Sequence, residues 1–168
     1  HGFHVHDERH FVETYTNRQT WEIDLHPDRA CEGPLDVHLS LELDPRTMIA
    51  FEDEVARVGE DAEPDTDITV PVVIGFALPP LPAGPDLLVL ATDLAGLGGT
   101  ALPLEVSAVD SFAAVTDAPE RGISIVGRVD VPLARIYLGQ EVLCDVLERA
   151  RQVGEFLLDR APAWLGEL

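Results

Sequence analysis

Lysine is absent from this chain of 168 residues, so its 11 basic residues are all arginine, against 31 Asp and Glu. The formal net charge is −20 at pH 7. Nucleic acids and anionic membrane surfaces are bound mainly through clustered Lys and Arg, so the composition argues against both as partners. The acidity is typical of a well-solvated surface. It also leaves open adaptation to high salt, mimicry of a nucleic acid, or capture of a basic partner.

Cysteines and long apolar runs are also scarce. Cys31 and Cys144 form no CxxC pattern, which argues against a zinc knuckle or a redox dithiol. If the protein is exported, a single long-range disulfide between them is the alternative. The apolar run at residues 70–81 is too short and too interrupted by proline to span a bilayer. The chain starts at His1 without a signal-peptide pattern, so we expect a soluble cytoplasmic protein, with export left open.

Apolar periodicity predicts a chain made mostly of strands. Trp21, Ile23 and Leu25 alternate strictly with polar residues, and the leucine-rich segment 35–43 alternates in the same way. A turn at Asn17-Arg18 is expected to join the first two strands. Seven segments have strand patterns in all: 10–16, 20–26, 35–43, 68–78, 87–94, 102–109 and 123–131.

Two other segments have the pattern of helices. Asp44 is an N-cap residue followed by Pro at the first helical position, and Gly59 is a C-terminal stop, which together predict a short helix over 45–58. Residues 140–159 carry an apolar stripe at helical spacing and predict a long amphipathic helix. Pro162 is expected to end that helix.

The order of these elements predicts one α+β domain over residues 1–168. Strands and helices do not alternate, which favours a mostly antiparallel sheet of six or seven strands with one short inserted helix and the long C-terminal helix packed on the sheet. In element order alone, this arrangement resembles the helix-grip architecture of START-like ligand-binding domains. The His-rich start at residues 1–10 is interpreted either as a disordered or tag-derived segment or as part of the fold.

All 6 histidines lie in the first 38 residues, and they offer one candidate metal site. An extended backbone would place His4 and His6 on one face, and Asp7 or His10 could supply a third ligand to zinc or copper. The string from His1 to His6 resembles the copper-binding strand of Cu/Zn superoxide dismutases. That family requires further histidine ligands late in the chain, where this sequence has none, so the resemblance covers six residues only.

Two further motifs lack the context that their chemistry needs. Gly96 to Ala101 matches G-x-G-x-x-A, but Pro103 and the alternation that follows predict a strand rather than the helix of a dinucleotide site. A hairpin turn is expected there instead. The segment around Ser124 misses the G-x-S-x-G nucleophile pattern by one residue and lies within a strand pattern, so we predict no catalytic residue.

These observations favour a non-catalytic binding module with an apolar surface or pocket between the sheet and the C-terminal helix. Its partner would be a protein or a small apolar ligand. The alternative is a metal-binding protein or metalloenzyme that uses His4, His6, His10 and Asp7. Trp164 and Leu165 leave apolar side chains at the end of the chain, which favours a homodimer.

Overall fold

The computed structural model describes residues 2–30, 33–58, 63–65, 67–112, 120–140 and 142–166. The strands of these ranges are β1 (Phe3–Val12), β2 (Gln19–Pro27), β3 (Asp36–Leu43), β4 (Thr69–Ala77), β5 (Leu104–Ser111) and β6 (Glu120–Pro132). The α-helices are α1 (Pro45–Val58), α2 (Leu87–Gly98), α3 (Leu133–Tyr137) and α4 (Cys144–Leu165).

The strands form one antiparallel sheet in the order β1-β2-β3-β4-β6-β5. The first four strands are neighbours in chain order. After β4 the chain crosses through α2 to the far edge and returns as β6 between β4 and β5. The predicted class, an α+β fold with an antiparallel sheet and a C-terminal helix packed on it, is confirmed.

Helices α2 and α4 cover one face of this sheet. The residues of α4 that face it are spaced three and four apart and are at most 5 % exposed: Val146, Ala150, Val153 and Leu157. They share one apolar core with Leu25 of β2, Ile74 of β4 and Leu94 of α2. Strands alternate their side chains between faces, so the polar residues of β2 and β3 lie on the opposite side, which we call the polar face.

The prediction of a strand over 87–94 is wrong, because these residues form helix α2. The Asp86 side chain accepts hydrogen bonds from the backbone N–H groups of Leu88 and Val89 and caps the helix. A short, nearly uninterrupted apolar run fits a buried strand and a buried helix equally well, so periodicity alone could not separate them. The predicted hairpin turn at 96–101 is also wrong, since α2 continues through Gly98 and ends at Gly99, whose φ is +59°.

The ends of other elements also differ from the prediction. Helix α4 begins at Cys144 and continues through Pro162 to Leu165, and the left-handed Gly166 ends it. The residues after Pro162 stay helical because Trp164 and Leu165 pack against the core. Strand β1 begins at Phe3, seven residues before the predicted start, and α3 was not predicted. The helix over 45–58 and the strands near 35–43, 68–78, 102–109 and 123–131 are confirmed.

Some predictions fall on residues outside the described ranges, namely His1, Cys31 and Gly59. Within the described residues, no helix combines the length and apolar character needed to cross a membrane.

Candidate functional sites

The polar face of β2 and β3 brings histidines and carboxylates together. The antiparallel register sets Asp24 opposite His38, and the Asp24 Oδ1 atom lies 2.7 Å from the His38 Nδ1 atom. Toward the end of β2, the His26 Nδ1 atom lies 3.5 Å from the Asp36 Oδ1 atom. Each histidine therefore has a carboxylate from the neighbouring strand beside it.

Strand β1 adds a third imidazole to this region. The register of β1 and β2 shifts between Val5 and Asp7, which marks a β-bulge at His6. The His6 ring meets the His26 ring edge to face, with their centroids 5.0 Å apart. A cavity of about 350 Å³, which we call the His–Asp cavity, has the following lining: His6, Asp24, Leu25, His26, Asp36, Val37 and His38.

Two polar groups of the His–Asp cavity are unusual. The pKa of Asp24 lies below its ordinary value, mainly because its carboxylate is hydrogen-bonded to His38. Arg9 lowers this pKa further, since its Nη2 atom lies 2.8 Å from Asp24 Oδ2. A carboxylate can only accept, so His38 Nδ1 carries the donated proton and its Nε2 atom is left for other partners. The Nδ1 atom of His26 is buried and makes no hydrogen bond with the described residues, although Asp36 Oδ1 lies 3.5 Å from it.

The structure divides the predicted metal ligands between two faces. His4 pairs with His26 and Asp7 pairs with Asp24, whereas His10 pairs with Trp21 and stacks on its ring at 4.5 Å. Trp21 and Asp24 belong to opposite faces of β2, so His10 is separated from the rest of the predicted set.

Asp7 is also engaged, since its carboxylate lies 2.8 Å from Arg9 Nη1. Within the described residues, no group of three or more His, Cys, Asp or Glu is arranged to hold a metal ion. A metal site built on His4, His6, Asp7 and His10 stays a prediction.

Sequence reasoning missed Asp24, His26, Asp36 and His38 as members of one cluster. The alternation of both strands places these four residues on polar positions, so a signal was present in the sequence. The missing information was the pairing of β2 with β3 and its register, which decides which polar residues become neighbours.

A second candidate site lies between α1 and α3. None of the 14 residues of α1, all of which the structure describes, is buried. Its apolar stripe instead borders an apolar depression of about 410 Å³, which we call the α1–α3 groove, with this lining: Leu43, Met48, Phe51, Glu52, Val55, Ala56, Leu133 and Tyr137. The Phe51 and Tyr137 rings meet edge to face, with centroids 5.8 Å apart.

The predicted apolar pocket between the sheet and the C-terminal helix is filled at the middle of α4. Ala150, Val153 and Leu157 are completely buried there against the sheet. The α1–α3 groove lies elsewhere, beside the end of β3 and the start of α3.

Comparison with known proteins finds no matching family model, no matching curated protein and no matching solved structure. Proposals about function therefore depend on the chemistry of the His–Asp cavity and the α1–α3 groove.

Proposed function

We propose that this protein is a non-catalytic binding module whose α1–α3 groove binds an amphipathic helix of a partner protein. The partner helix inserts its apolar face into the groove and presents Arg or Lys on its flanks. The observation that carries this proposal is the exposure of α1, which has a helical apolar stripe and buries none of its 14 residues. A helix of this kind normally buries its stripe against a core.

The size and lining of the groove fit apolar anchors. Its volume of about 410 Å³ accommodates several side chains of a docked helix, which inserts residues at i, i+3, i+4 and i+7. Glu52 is the charged residue of the lining, and the other lining residues offer aliphatic or aromatic surface. Aromatic groups such as Phe51 and Tyr137 are common anchors of protein interfaces because they bury a large apolar area at a low entropy cost.

Exposed apolar residues beside the groove favour a protein partner over a small ligand. Ile49 of α1 is 56 % exposed, and Ile136 and Leu138, in and just after α3, are 43 % and 41 % exposed. These three residues are not part of the groove lining, so a molecule inside the groove would leave them exposed, whereas a helix lying along the groove could cover them as well.

The charge of the protein favours a basic partner. Glu52, Asp53 and Glu54 follow one another on α1, within a chain of net charge −20. The one arginine near them in the helix, Arg57, is paired with Glu54 at 2.7 Å. Positive flanks on the docked helix would therefore gain from electrostatic attraction and would associate faster.

A labelled peptide tests this proposal. The probe is a fluorescein-labelled amphipathic peptide with Leu at i, i+3, i+4 and i+7 and Arg on its other face, and binding is followed by fluorescence anisotropy. We expect saturable binding that Tyr137→Ala weakens by about tenfold or more, the effect of removing an interface anchor. Tyr15→Ala is the matched control because Tyr15 is 97 % exposed and lies in the β1–β2 loop.

Three results would contradict the proposal. One is the absence of peptide binding up to the solubility limit of the peptide, and another is equal binding of a scrambled peptide of the same composition, which would show attraction by charge alone. The third is a light-scattering mass twice that of one chain that Tyr137→Ala returns to the single-chain value, which would assign the groove to a second copy of the chain.

A further inference from the structure

We propose that His6 and His26 form a binding site for a divalent transition-metal ion, with Zn²⁺ as the reference ion, in the His–Asp cavity. This pair differs from the predicted set of His4, His6, Asp7 and His10, because β1 and β2 each contribute one imidazole. The site lies on the polar face of the sheet, away from the α1–α3 groove, and does not depend on the function proposed for that groove.

The spacing of the two rings suits a shared ion. A zinc ion lies about 2.0 Å from each ligating nitrogen, and two imidazoles at the tetrahedral angle then have ring centres roughly 5 Å apart. The centroids of His6 and His26 are 5.0 Å apart and their planes are inclined by 78°. The two rings therefore already have the separation that a zinc ion between them requires.

The carboxylate beside His26 suits a metal ligand as well. Histidines that bind metals usually donate their second ring N–H to a carboxylate or a carbonyl, which fixes the tautomer and the ring orientation. Asp36 Oδ1 lies 3.5 Å from the buried His26 Nδ1, the ring nitrogen that has no hydrogen-bond partner among the described residues. A small rotation of Asp36 would complete this bond and leave His26 Nε2 as the ligating atom.

The number of protein ligands sets the character of the site. No group of three candidate ligands is arranged around an ion within the described part of the chain, so we assign two imidazoles, with water in the remaining positions. A site of this kind binds reversibly and stays open to exchange. The net charge of −20 raises the concentration of cations near the surface, and Asp36 supplies negative charge next to the ligands.

An edge-to-face contact between two neutral imidazoles also accounts for a spacing of 5.0 Å without any metal. The two interpretations differ in what happens when zinc is added. Only a metal site predicts uptake of the ion with a dependence on both rings.

The experiment is a calorimetric titration of the untagged full chain with Zn²⁺ after treatment with a chelator. We expect one zinc per chain, and we expect His6→Gln and His26→Gln each to lower the association constant by more than about tenfold, while Asp36→Asn lowers it by about tenfold. His10→Gln is the matched control, because His10 belongs to the same strand but stacks on Trp21. Near-UV circular dichroism of each variant identifies any that fails to fold. His6→Gln is the most informative variant because His6 is exposed, so its replacement is expected to leave the fold intact.

Absence of zinc uptake at millimolar concentration would overturn the proposal. An equal loss of affinity in His10→Gln and His6→Gln would also overturn it, because the ion would then be held by the N-terminal residues independently of this pair. Uptake that needs His6 and His26 but not His10 would support it.

Discussion

Gly127 of β6 lies directly against Leu102, the completely buried residue of the turn after α2. A methyl group at Gly127 would lie 3.0 Å from Leu102 Cγ and would overlap one of its terminal methyl groups. Because Gly127 has no side chain, the turn after α2 can close over the sheet at this position.

This contact predicts that Gly127→Ala lowers the free energy of unfolding by about 1–3 kcal/mol, the usual cost of adding an atom to a filled core. Gly75→Ala is the matched control, because Gly75 also lies within a strand, and a methyl group there would meet its nearest neighbour, the His38 carbonyl oxygen, at 3.8 Å. We expect Gly75→Ala to leave stability unchanged or to raise it by up to about 1 kcal/mol. Urea denaturation measures both, and equal effects of the two substitutions would contradict the close packing at Gly127.

The cap of α2 gives a second prediction. Asp86→Ala removes the acceptor of the Leu88 and Val89 N–H groups and should lower the free energy of unfolding by about 1 kcal/mol. Asp86→Asn keeps an acceptor oxygen, so its stability should stay within a few tenths of a kcal/mol of the wild type. Thermal or urea denaturation compares the variants, and an equal loss in both would show that charge rather than capping is responsible.

Asp44 at the start of α1 predicts a pH dependence. Its carboxylate accepts bonds from the Thr47 hydroxyl at 2.6 Å and from the Thr47 backbone N–H at 3.1 Å, and these bonds lower its pKa below the ordinary value. The folded state therefore favours the ionised form. Its contribution to stability is complete above the unfolded pKa of about 4 and is lost as the pH falls through the lower folded pKa.

Asp44→Asn isolates this contribution, because asparagine keeps an N-cap acceptor without the charge. We expect the wild type to be more stable than the variant at neutral pH, and the difference to shrink as the pH falls below about 4. Urea midpoints measured in parallel at several pH values test this. A difference that does not change with pH would show that ionisation of Asp44 has no role.

Salt should act in opposite directions on folding and on peptide binding. A net charge of −20 makes the folded chain repel itself, so we expect sodium chloride to raise its melting temperature by screening this repulsion. The same screening should weaken the binding of the basic peptide to the α1–α3 groove. Calorimetric melts and anisotropy titrations across a range of salt concentrations measure the two effects, and a fall in melting temperature with salt would contradict the expectation.

Two substitutions show which part of the surface causes the salt dependence of peptide binding: Glu52→Gln and Asp130→Asn. Both remove one negative charge, but Glu52 lines the groove and Asp130 is an exposed residue of β6. We expect only Glu52→Gln to reduce the salt dependence of peptide binding. Equal effects of the two variants would assign the attraction to net charge and not to the groove.

Much of the secondary structure could be predicted from local patterns. The alternation at 35–43 and the Asp44-Pro45 pair placed β3 and α1, because strand period and helix capping depend on residues that are close in sequence. The same rules misassigned residues 87–94. Burial of Leu90 and Leu94 under tertiary contacts decided that this apolar run is a helix.

The candidate sites were less predictable. The sequence identified His4, His6, His10 and Asp7 as neighbours along the chain, and the bulge in β1 and its register with β2 then set His6 beside His26 and His10 on Trp21. Likewise, periodicity identified the apolar stripe of α1, but it could not indicate that the stripe borders an open groove.

The sequence alone determined the acidic surface, most strand and helix positions and the α+β class, because composition, periodicity and capping act over a few neighbouring residues. The tertiary structure decided strand register, the helical state of α2, the contact between the His6 and His26 rings and the exposure of the α1–α3 groove. These features depend on contacts between residues far apart in the chain, whose free energies are set only when the whole domain packs.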